Sequence, residues 1–156
     1  MGKRILLVLT LLLAALASAT IPLAASAERM NSLVIGARFS LETGTGTFSA
    51  CCAVSDSGDA SLEITSFEVR GNEGVFEAIN TFNGQDGSFT ISIRGTTGPL
   101  TIDGLENPRH VARGKWQITS ATGDYVGLHG HGTLTAMSDS GAGTLTAIDE
   151  GRAKLP

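Results

Sequence analysis

The sequence predicts an all-β fold, an antiparallel eight-stranded β-barrel (about eight or nine strands by the count of runs) preceded by a signal peptide. Three observations carry this. Apolar and polar residues alternate with period two from residue 33 almost to the C-terminus. Clusters of Gly with Asn, Asp or Ser interrupt the alternation at hairpin spacing. No window shows a sustained apolar stripe at helical spacing.

Residues 1–27 have the three-part layout of a secretory leader. Met1-Gly2-Lys3-Arg4 is basic, Ile5 to Leu16 is apolar, and Ala25-Ser26-Ala27 precedes Glu28-Arg29. The expected domains are therefore a signal peptide over 1–27 and one β-barrel over 28–156. Ala17-Ser18-Ala19 is a second cleavage motif, but Pro22 breaks helix just upstream of the later one and favours cutting after Ala27. An uncleaved anchor is the rival reading, because Ile5 to Ala27 is 23 uncharged residues. Pro22 and the Ala/Ser-rich second half make that segment a poor span. The expected location is secreted or periplasmic, with no stable membrane insertion after cleavage. Loss of Lys3 and Arg4 moves the net charge from −4 to −6. An acidic chain without a basic stripe excludes general nucleic-acid binding.

The strands follow in order. Leu33, Ile35, Ala37, Phe39 and Leu41 alternate on one face of the first run, and Phe48, Ala50, Cys52 and Val54 on one face of the second. Leu62 and Ile64 share a face, after which the phase changes to Phe67 and Val69, which predicts a bulge near Ser66. Phe76, Ala78 and Phe82 pattern the fourth run, and Phe89, Ile91 and Ile93 the fifth. Leu100 to Asp103 reads as a short fragment. His110, Ala112, Gly114, Trp116 and Ile118 oppose Arg109, Val111, Arg113, Lys115, Gln117 and Thr119 in the longest alternation. Thr133 to Met137 and Thr144 to Ile148 close the chain.

Turns are expected at 56–59, 71–74, 83–87, 95–99 and 138–141, where Gly, Asn, Asp and Ser tolerate positive φ or bond their own backbone. A meander of hairpins with many glycines favours a barrel over a sandwich, because tight bends and bulges need Gly.

One stretch, Gly114-Lys115-Trp116-Gln117-Ile118 followed by Ala121-Thr122-Gly123-Asp124-Tyr125-Val126-Gly127-Leu128-His129-Gly130-His131-Gly132-Thr133, is similar to the closing strands of the allene oxide cyclase barrel-like and dirigent-like superfamily. In that group a strand leads into a G-T-G-x-Y/F-x-G-L-x-G-x-G turn. Here Ala121-Thr122-Gly123 stands where Gly-Thr-Gly is frequent. Gly44-Thr45-Gly46-Thr47-Phe48 and Asp86-Gly87-Ser88-Phe89-Thr90-Ile91 also look like secreted bacterial members of uncharacterised function. The resemblance implies an eight-stranded antiparallel barrel, a trimer, and at most an isomerase or cyclase chemistry of the allene oxide cyclase type. In the motif turn, Gly123 and Gly127 free the backbone, and Tyr125 can lay its ring over a barrel end and hydrogen-bond through its hydroxyl. Gly130 and Gly132 let the chain re-enter a crowded strand.

Residues able to carry chemistry are few. His129 and His131 lie two apart and could share a metal, with Asp124 as a third ligand, against the alternative of two exposed turn histidines. His110 has the parity of Trp116 and could be an inward acid/base. Cys51 and Cys52 are the only cysteines; adjacent strand residues point to opposite faces, so Cys52 should face inward and Cys51 outward. An outward thiol in an oxidising compartment invites a Cys51-linked dimer. Gly114-Lys115-Trp116 matches the lipocalin G-x-W triplet but lies too late in the chain for it. No P-loop, G-x-S-x-G or H-E-x-x-H pattern is present, and no cofactor is expected.

The leading functional reading is an exported, non-catalytic barrel that binds a small apolar ligand, lined by Phe39, Phe48, Phe89, Ile91, Trp116 and Ile118. The alternatives are an isomerase or cyclase using the cavity with His110, and a structural or partner-binding protein with a filled barrel.

Overall fold

Alternating side chains cannot all be buried on one flat sheet, and here the sheet closes on itself. The computed structural model describes residues 30–71, 73–100 and 109–155. The leader and both cleavage sites lie outside the described residues. The strands are β1 (Asn31–Ser40), β2 (Thr45–Cys52), β3 (Asp56–Arg70), β4 (Glu73–Asn83), β5 (Ser88–Leu100), β6 (Arg109–Ala121), β7 (His129–Asp139) and β8 (Thr144–Lys154), with a 3-10 turn at Gly123–Tyr125. Each strand pairs antiparallel with the next, and β8 returns to β1 from Asn31↔Ala153 to Ser40↔Thr144, which closes an eight-stranded barrel. The turns after β1, β3 and β7 lie at one end, called upper here; those after β2, β4 and β6 lie at the lower end.

The odd positions Leu33, Ile35, Ala37 and Phe39 of β1 are buried, as period two requires. The phase change in β3 is a register shift between Ile64 and Ser66. A second irregularity lies where β5 pairs β6, between Thr90 and Ile91.

Two expected turns lie inside strands. Residues 56–59 begin β3, and the link moves to 53–55. A Cβ at Gly58 would meet the Asn83 carbonyl, so this glycine serves close strand approach and not chain reversal. Likewise 95–99 belongs to β5, where a Cβ on Gly95 would meet the Arg113 carbonyl on β6. Leu100 of the expected short fragment ends β5, and residues 101–103 lie outside the described residues.

Cys52 also departs from expectation. Its φ is +85°, so the strand leaves the extended conformation there and Cys52 is exposed beside Cys51. Their sulfurs are 2.7 Å apart.

The lower half of the barrel is filled by rings. Phe82 contacts Phe48 and Phe89 with centroids 5.1 and 5.0 Å apart, and Phe89 meets Tyr125 edge-on at 5.9 Å. Each fully buried aromatic contributes about 1.5–3 kcal/mol from burial, and tilted pairs add about 0.5–1.5 kcal/mol.

Candidate functional site

The upper half is built differently. Four of its inward positions are small: Ala78 on β4, Ala112 on β6, Ala136 on β7 and Ala147 on β8. Four alanines facing a common axis cannot fill it. A cavity of about 120 Å³ remains, closed laterally by Leu62, Phe76, Ile93, Leu134 and Leu145. An apolar void of about 150 Å³ suffices for a benzene-sized guest.

The cavity opens beside β3. Pairing with β2 ends at Thr45↔Ser61, and the Leu62 N–H makes one last bond to the Gly44 carbonyl at 2.7 Å, so from Glu63 onward β3 is paired on the β4 side only. The upper part of β3 therefore has a free edge, while β4 stays paired with β5 up to Gly74↔Thr97. Ile64, Phe67 and Val69 are more than half exposed there, and Ile64 and Phe67 belong to the cavity wall. Gly74 makes room for the Phe67 ring: a Cβ at that position would stand 2.5 Å from its Cζ.

One buried polar group lines this apolar space. Asn80, 2% exposed, lies in register between Leu62 and Ile91, and its Oδ1 has no hydrogen-bond partner. Asp149 lies on β8, four strands away across the ring, one inward step below Ala147. It is completely buried between Leu134 and Ile35, and neither carboxyl oxygen has a partner. Burial alone pushes its carboxyl up to about 7, because an apolar interior disfavours the anion. Both residues have inward parity, Asn80 with Ala78 and Phe82, Asp149 with Ala147. A polar residue at an inward position was the signal that could have found them.

The lower end is shut by a lock. The Tyr125 hydroxyl donates to Asp56 Oδ2 at 2.6 Å, and the same carboxylate accepts backbone N–H groups from Ser57, Gln85 and Asp86. The Tyr125 hydrogen bond, followed by the backbone donors, holds Asp56 down at about 2. Burial and then the Asp56 contact raise the Tyr125 phenol well above its ordinary range.

The residues proposed from sequence fall as follows. Phe39, Phe48, Phe89, Ile91 and Trp116 are buried in the core, and Ile118 is half-buried against it. None of the six lines the upper cavity, whose wall is made by other residues nearer the upper end. The Trp116 ring lies over Gly132 and Gly151, and its Nε1 donates to the Thr133 carbonyl at 3.1 Å. Gly123 and Gly127 have φ of +62° and +86°, and Gly130 packs against Ala153. His110 is exposed at the upper rim and lines no described cavity. His129 and His131 are exposed, and the His129 Nδ1 faces the Gly127 carbonyl at 3.1 Å. Among the described residues no three His, Cys, Asp or Glu side chains converge as a metal site would require.

No protein-family model, no curated protein and no solved structure matches this chain.

A second concavity, of about 590 Å³, lies against the outer wall between β3 and β7. Glu77 and Arg94 in it are paired at 2.7 Å, and both are well exposed. Charges that satisfy one another in water hold little for a guest. The inner cavity, apolar and with an unpartnered acceptor, is the better candidate for a binding site.

Proposed function

We propose that this chain is an exported, non-catalytic β-barrel that binds a small apolar molecule, or the apolar end of a larger one, in the upper half of the barrel. One observation carries the reading: an apolar cavity open at one end, with the unpartnered Asn80 Oδ1 inside it. The exposed Ile64, Phe67 and Val69 give an apolar approach to the opening. The cavity's polar lining, Asn80 and Thr97, contains no acid/base pair, which favours binding over the isomerase alternative with His110. Export rests on the layout of residues 1–27, and membership of the allene oxide cyclase barrel-like group on the Trp116–Thr133 stretch together with the eight-strand count.

The test is native purification, followed by solvent extraction and mass spectrometry of the bound fraction, for wild type and for Ala136→Leu/Ala147→Leu. The same small molecule should return from repeated wild-type preparations and be depleted in the filled variant. Repeated preparations that carry nothing, or equal amounts in both proteins, would contradict the proposal.

A further inference from the structure

Every unpartnered buried side-chain polar atom among the described residues is an acceptor: Asn80 Oδ1 and the two oxygens of Asp149. All three face the barrel interior, on opposite walls. Two donors packed in the core are turned elsewhere. Trp116 Nε1 serves the Thr133 carbonyl, and the Tyr125 hydroxyl serves Asp56. A neutral Asp149 supplies one O–H and leaves the imbalance in place.

We propose that the ligand of this cavity is an apolar body carrying a hydrogen-bond donor, an O–H or N–H group, which enters first and is received by Asn80 Oδ1. The inference rests on the binding reading above and specifies its ligand. A buried acceptor left unpaired costs its desolvation energy, so a site built around one discriminates against a guest without a donor. A carboxylate is disfavoured on grounds of charge. Asn80 and Asp149 are the only buried polar or charged residues described, so no cation stands inside to receive an anion. A carboxylate head would be desolvated beside the neutral Asn80 amide with no compensating charge. Asn80 is thus a specificity-determining residue, and the alanine walls set only the girth of the body.

Two isomers separate the donor from the body. 1-Hexanol and dipropyl ether contain the same atoms, and only the alcohol has an O–H. Calorimetric titration of both, and of hexanoate at pH 8, into wild type and Asn80→Leu tests the proposal. Wild type should bind the alcohol about tenfold more tightly than the ether, and hexanoate more weakly than either. In Asn80→Leu the two isomers should bind within about twofold of each other. The wild-type comparison decides by itself if the variant does not fold. An ether that binds wild type as tightly as the alcohol overturns the donor assignment and leaves the binding reading standing, as does a preference unchanged in the variant. Absence of saturable binding by both isomers overturns both.

Discussion

The Tyr125 hydroxyl reaches Asp56 Oδ2 at 2.6 Å and so ties the turn after β6 to the start of β3, 69 residues away in sequence. Gln85 and Asp86 donate backbone N–H groups to the same carboxylate, so three connections at the lower end share one anion. The barrel is therefore sealed at one end by a charged hydrogen-bond hub, and among the described residues the cavity in its other half opens beside β3.

Tyr125→Phe removes the hydroxyl and keeps the ring against Phe89. The expected loss is about 1–3 kcal/mol at neutral pH, the range for a hydrogen bond to a charged group. Asp56 is depressed to about 2 in the folded state from an ordinary 3.8, so its contribution is present above 3.8 and fades as pH falls toward 2. Urea denaturation of both proteins should show the gap at pH 7 shrinking by pH 2. A gap independent of pH would remove the anion from the account.

Asp149 titrates with the opposite sign. Its folded value, about 7, exceeds the ordinary 3.8, so the folded state binds more protons between these limits and stability falls as pH rises. The effect is on the order of a few kcal/mol. Asp149→Asn should flatten stability from pH 4 to 7 and be the more stable protein at pH 8. Denaturation profiles that are equally flat for both proteins would contradict a buried, unpartnered carboxyl.

Gly132→Ala places a Cβ against the Glu150 carbonyl and 2.6 Å from the Trp116 ring. Backbone cannot yield as a flexible side chain does, so the loss should be about 1–3 kcal/mol by thermal or chemical denaturation, with a change in Trp116 fluorescence. Unchanged stability would mean that β7 and β8 are not held this close.

The contact between the Cys51 and Cys52 sulfurs bears on oligomers. Treatment with oxidised glutathione should join the two neighbours and release reduced glutathione, in preference to linking two chains through Cys51. Intact mass should fall by two hydrogens, with monomer alone on a non-reducing gel. A dominant disulfide-linked dimer would reverse this expectation.

Much of the barrel was legible in period two, because a closed sheet has one wet and one dry face along every strand. The bulge near Ser66 was visible as a phase change for the same reason. Turns at 56–59 and 95–99 were misplaced because glycine has two uses, chain reversal and close approach of strands. Only the register distinguishes them, and register is a long-range property. Cys52 was misread because parity assumes extended backbone, and a φ of +85° breaks it. For the site, alternation found the buried aromatics, yet a cavity arises where side chains are too small to meet. That depends on how Ala78, Ala112, Ala136 and Ala147 face one another across the ring. Asn80 and Asp149 interrupt the apolar alternation that marks an inward face, although their parity with Ala78 and Ala147 places them inside.

The proposed function stands on an apolar guest entering the upper half of the barrel. Titration of 1-hexanol into isotopically labelled protein, followed by amide shifts in wild type and Ala136→Leu/Ala147→Leu, tests it most directly. Saturable shifts concentrated at Leu62, Ala78, Asn80, Ile93 and Leu134 are expected, and they should be lost in the filled variant. Shifts centred on Phe48, Phe82 and Phe89, or shifts that persist undiminished in the filled variant, would contradict it.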